Sequence, residues 1–109
     1  MKVQIITNCL DLLAGFEYLT PKEQKDCFQQ IIDVLGSYPK PQKKNVLESA
    51  KPNEIACFLL VSNVRNACKL STFGFIDFKA GYSTIQENCE FALSLLIDNL
   101  EVIKPTTIQ

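Results

Sequence analysis

Apolar residues recur along this chain at steps of three and four, the spacing that gathers side chains on one side of a helix. In "VQIITNCLDLLAGFEYL", Ile5, Ile6, Cys9, Leu10, Leu12, Leu13 and Phe16 make a wide apolar face, while Gln4, Thr7, Asn8, Asp11 and Gly15 share a narrower polar one. Val3 and Ile5 also alternate with polar neighbours, so a short strand over 2–6 is the competing reading there. The next stretch, "LTPKEQKDCFQQIIDVLGSYP", carries its own boundaries. Thr20 suits the N-cap, Pro21 the first helical position, and Glu23 completes a capping box with Thr20. The helix is expected to end near Leu35, with Gly36 at C′. Cys27, Phe28, Ile31, Ile32, Val34 and Leu35 form its core side.

Pro39 and Pro41 predict a loop, with a short helix after it near 43–50. A third long helix is predicted from Pro52, because Cys57, Leu60, Val61, Val64, Ala67 and Cys68 keep the helical period. Phe58 and Arg65 fall off that stripe and make a candidate contact patch. The stretch "STFGFIDFKAGY" is ambiguous. As a short helix it would be capped by Ser71 and ended by Gly81; as a strand it would alternate through Phe73 and Phe75. Either way its three phenylalanines are expected to be buried. Ser83 and Gln86 then read as a second capping box, opening a helix from about Thr84 to Ile103. Apolar residues cover most of that last helix, so it is expected to be central. Its polar positions, Glu87, Glu90, Ser94, Asp98 and Glu101, fall on one narrow strip that contains no Lys or Arg. The resulting fold is all-α: a single bundle of four to five helices over 1–105, with 106–109 frayed. The alternative is α+β, with short strands near 2–6 and 72–80.

Composition narrows the class. With 109 residues, 47% hydrophobic and 21% charged, the chain is an ordinary globular domain. Four Gly and five Pro are few for a strand-and-turn array, which again favours helices. A net charge of −1 gives no reason to expect nucleic acid or an anionic membrane as partner. Near the N-terminus Gln4, Thr7, Asn8 and Asp11 break the apolar run, so neither a signal peptide nor a membrane span is expected.

The five cysteines, Cys9, Cys27, Cys57, Cys68 and Cys89, are odd in number and widely spaced, and the chain has no His. A disulfide framework or a zinc site would show even counts or close pairs. They read as small buried hydrophobes of a reducing cytoplasm. Without His, Cys or Ser nucleophilic catalysis lacks its usual base. No phosphate cradle or calcium loop is present, so no enzyme, cofactor or metal is expected.

That leaves the carboxylate strip. Like charges at helical spacing repel by a few tenths of a kcal/mol per pair, about 0.2–0.5. Asp98 and Glu101 also oppose the helix dipole. The strip is either the wet side of a nearly buried helix or a docking surface for a basic protein. Compact helical immunity proteins are similar in size and acidity, although no motif ties the chain to a particular family. The expected function is therefore a protein-binding inhibitor of the immunity-protein or antitoxin type. Glu87, Glu90, Asp98, Glu101, Phe58 and Arg65 would face a toxin or nuclease domain. Two other readings stand beside it. One is a structural or adaptor subunit, including a homodimer. The other is an apolar-ligand carrier with a cavity among Phe16, Phe28, Phe73, Phe75 and Phe78.

Overall fold

The computed structural model describes residues 2–40 and 52–101, the last four of these by their backbone alone. Four α-helices fill these segments: α1 (Lys2–Leu13), α2 (Pro21–Leu35), α3 (Pro52–Thr72) and α4 (Phe78–Glu101). A single 3-10 turn, Phe16–Tyr18, joins the first two. No strand occurs among the described residues: of the two alternative strand positions, 2–6 is helical, and 72–80 is an irregular turn at 73–77 flanked by helix. The fold is all-α. The helix expected near 43–50 and the tail at 106–109 lie outside the described residues.

Each helix packs on the next in the chain, and α4 returns to pack on α1, closing a four-membered ring. Cross-helix contacts show that neighbours run antiparallel. Cys27 Sγ donates to the Leu12 carbonyl (3.2 Å) and Gln24 Nε2 to the Phe16 carbonyl (3.2 Å), tying α2 back to the end of α1. Cys57 Sγ donates to the Ala92 carbonyl (3.5 Å), and Asn63 Nδ2 to Asn88 Oδ1 (3.4 Å), so α3 descends as α4 ascends. This is the up-down-up-down bundle that short connections favour.

The helix ends follow local chemistry. At α2 the capping box forms: the Glu23 N–H donates to Thr20 Oγ1 (3.2 Å) and the Thr20 N–H to Glu23 Oε1 (2.9 Å). Such a cap is worth about 1 kcal/mol. Burial of Phe28, Ile31 and Leu35 contributes about 2 kcal/mol each, so the cap sets where α2 begins and the core decides that it exists. Gly36 departs from expectation. Its φ of −60° is right-handed, so it extends the last turn rather than supplying a left-handed C′. Gly15, at φ 74°, breaks α1 two residues after Leu13.

The segment 72–82, expected as a short helix or irregular bridge, forms no separate helix and no strand: Thr72 ends α3, 73–77 are an irregular turn and 78–82 open α4. α3 continues to Thr72 and ends in a Schellman motif: the Phe75 N–H donates to the Leu70 carbonyl (2.8 Å) and the Gly74 N–H to the Ser71 carbonyl (3.1 Å). Gly74 takes the left-handed C′ position at φ 86°. α4 then starts at Phe78, with Asp77 as its N-cap: Asp77 Oδ1 accepts from the Ala80 N–H at 2.7 Å. The box read at Ser83 and Gln86 does not open the helix, because both lie inside it, and Gln86 donates to Glu90 instead. Gly81 ends nothing. It is buried where α4 crosses α3, and a Cβ there would collide with Ser71 Oγ and lie 3.1 Å from the Phe28 ring.

The core is continuous through all four helices, and every predicted stripe contributes to it. At its lower end Phe16 stacks on Phe28 (centroids 4.9 Å, 9° between planes) and on Tyr82 (5.1 Å, 13°), while Phe78 meets Phe28 edge-on (5.5 Å, 69°). Ile85, Cys89 and Ala92 of α4 lie among the buried side chains.

Candidate functional site

The outer face of α4 is where the sequence-predicted acids are found. Glu87, Glu90 and Ser94 are exposed along it. Glu90 accepts a hydrogen bond from Gln86 Nε2 (3.2 Å), and among the described residues neither carboxylate is in an ion pair. Asp98 and Glu101 continue the same spacing in a helical backbone, but their side chains lie outside what is described. α4 is less enclosed than its composition suggests. Phe91 keeps 57% of its surface exposed, and Ile97 is also exposed. Phe91 sits one turn after Glu87, about 40° away around the helix at 100° per residue, so an aromatic ring and two carboxylates share one face.

Apolar residues, Phe91 among them, cover most of the circumference of this helix, and by that pattern it is expected to be central. The helical wheel carried the contrary signal, since the residue one turn after an outward Glu is itself outward. On the neighbouring α3, Ile55 and Leu59 are exposed as well. The Asn63–Asn88 bridge shows which edge of α3 lies beside α4. Leu59 is one turn before Asn63 and Phe91 one turn after Asn88. In an antiparallel pair those steps run the same way, so the two exposed apolar residues stand at the same level of the α3–α4 hairpin.

Phe58 and Arg65 are not brought to this face. Phe58 is half-buried and packs on the core, and its carbonyl accepts from Ser62 Oγ (3.0 Å). Arg65 is half-buried too, with its Nε shielded from solvent and without a hydrogen-bond partner. The five phenylalanines do not enclose a common cavity. Phe16, Phe28 and Phe78 fill their space by stacking, whereas Phe73 and Phe75 are 73% and 74% exposed on the α3–α4 turn.

All five thiols are free and buried. The hydrogen bond between Cys9 and Cys89 holds Cys9 below its ordinary range and pushes Cys89 well above it, with burial adding to the latter. Burial pushes Cys68 up to about 12, and raises Cys27 and Cys57 as well. Among the described residues, no three His, Cys, Asp or Glu side chains gather so as to hold a metal ion. No helix there is long and apolar enough to cross a membrane.

A surface groove of about 470 Å³ opens beside the Phe16–Tyr82 stack, between the 3-10 turn and the first turns of α4. Glu17, Gln24, Lys79 and Ser83 complete its lining. Comparison with protein families, curated proteins and solved structures finds no match to this chain.

Proposed function

We propose that this chain is a small non-enzymatic protein-binding module of the reducing cytoplasm. In this reading it is an inhibitor of the immunity-protein or antitoxin type that covers a basic toxin or nuclease domain. The observation that carries the reading is the outer face of α4, where Glu87 and Glu90 stand exposed and, among the described residues, in no ion pair, with Phe91 beside them. An exposed aromatic ring is the kind of anchor that dominates interface energetics, and flanking carboxylates steer and select a cationic partner. Asp98 and Glu101 extend the acidic spacing along the chain. Five free thiols fit a reducing compartment.

The test uses a cationic protein encoded beside this chain, purified and titrated by calorimetry. Affinity is expected to fall at least about tenfold as salt rises from about 50 to about 300 mM. Glu87→Lys with Glu90→Lys should remove binding, and Phe91→Ala should weaken it by about 2 kcal/mol. Binding that ignores salt and survives the double reversal would refute the reading. A second reading, an adaptor that also associates with itself, is favoured by the exposed aromatic end of the bundle.

A further inference from the structure

Both tight turns of the bundle lie at one end. The Phe16–Tyr82 stack places the 3-10 turn beside the first turns of α4, and those follow directly on the α3–α4 turn. The three most exposed large apolar side chains of the described residues are here: Tyr18 (84%), Phe75 (74%) and Phe73 (73%), with Leu70 partly exposed next to them. The backbone that carries the two phenylalanines is fixed. The Schellman bonds of Gly74 and Phe75 fix the turn from the α3 side, and the Asp77 cap fixes it from the α4 side. A turn whose backbone is already fixed loses no backbone entropy on docking.

The same end carries a receptor for such a knob. The groove of about 470 Å³ has Phe16 and Tyr82 stacked on its wall, with Glu17 and Lys79 both on its lining. Glu17 is exposed and, among the described residues, unpaired; so is Lys69, one turn before Phe73. Knob and groove on one surface are what a two-fold contact between identical chains requires, and Glu17 is the groove acid that can meet Lys69 beside the knob.

We infer that the aromatic turn Phe73–Gly74–Phe75 docks into the Phe16–Tyr82 groove of a second copy of this chain, with Lys69 of one copy facing Glu17 of the other. Two phenylalanines, Tyr18 and Leu70 can bury on the order of 500 Å² per copy. That total is at the low end of specific interfaces, so the dimer is weak and depends on concentration. This surface is separate from the acidic face of α4, and neither claim needs the other.

Sedimentation velocity from about 1 to about 500 µM tests it. The average mass is expected to rise from 12.3 kDa towards twice that value. Phe73→Asp with Phe75→Asp should hold the chain at monomer mass throughout. Both side chains are exposed, so a circular dichroism melt should be unchanged. Phe91→Asp, on the other face, should leave association intact. Glu17→Lys should weaken association at least about tenfold, and adding Lys69→Glu should restore it by swapping the charges. A wild-type monomer at every concentration would overturn the inference. So would association that survives the double aspartate variant or is lost in Phe91→Asp. If the wild type stays monomeric but co-sediments with phosphatidylserine vesicles through Phe73 and Phe75, the occupant is a lipid surface and the inference is wrong.

Discussion

Ser71 and Gly81 show how much one atom decides in this core. Ser71 is a buried polar residue of the last turn of α3, and its Oγ has no hydrogen-bond partner. Gly81 lets the α4 backbone come so close that a Cβ would meet that hydroxyl and press on the Phe28 ring, which is fully buried. Gly81→Ala is expected to destabilise by about 1–3 kcal/mol through overpacking, despite the better helix propensity of Ala. Ser71→Ala removes an unsatisfied hydroxyl and should be neutral or slightly stabilising. Because the two residues touch, a double-mutant cycle of Gly81→Ala with Ser71→Gly, measured by urea unfolding, should show coupling above about 0.5 kcal/mol. Additive effects would place the strain elsewhere. The sequence presented Gly81 as a helix stop, because a glycine's two uses, breaking a helix and allowing close approach, look alike in one dimension.

The boundaries of α3 and α4 are set by residues that local pattern ranked second. Asp77 caps α4 by accepting from the Ala80 N–H, whereas Ser83, in the stronger-looking S-x-x-Q pattern, lies a turn and a half inside the helix. Asp77→Ala should lower stability by about 1 kcal/mol and Ser83→Ala should change it by less than about 0.5, as read from denaturant midpoints. The reverse order would restore the sequence-based boundary. α4 reaches back to Phe78 because Phe78 and Tyr82 join the aromatic stack and Gly81 fits against α3, and no capping motif encodes that gain. At α2 the local signal and the tertiary gain agree, so Thr20, Pro21 and Glu23 were read correctly. Gly74 was a legible sign of a Schellman end, since a glycine just after an apolar helical run is its usual mark. Three nearby phenylalanines suggested burial more strongly, and hydrophobicity alone does not say which side of a turn faces water.

Taken as a whole, the molecule draws its stability from a ring of four antiparallel helices whose shared interior is lined with buried thiols. That interior has a pH consequence. Burial raises Cys68 to about 12, and burial, with Cys57 and Glu54 nearby, raises Tyr38 to about 12. A group whose folded pKa is raised holds its proton in the folded state after the unfolded chain has released it. Stability is therefore unaffected at neutral pH and falls as pH climbs from about 9 towards 12. Urea midpoints should be flat between about pH 6 and 8 and should drop by about pH 10.5. Cys68→Ala should flatten part of that drop, although it lowers the midpoint at pH 7. A midpoint independent of pH up to 10.5 would show that the thiols are not desolvated. At neutral pH the same burial predicts that Ellman's reagent labels the five thiols only as fast as the bundle opens.

The linear pattern of residues favoured helices over the α+β alternative, and it specified where α2 begins, which stripes face inward and that the cysteines are interior. These are matters of period and local capping, written in neighbours three and four apart. It also placed Glu87 and Glu90 on one line. Which side of α4 that line faces, that Phe91 shares it, that Phe58 and Arg65 turn away, and that Phe73 and Phe75 stand in water at a rigid turn were decided only by tertiary structure. Each depends on how helices far apart in sequence divide a helix surface between them, and a single helix's period contains no record of its neighbours.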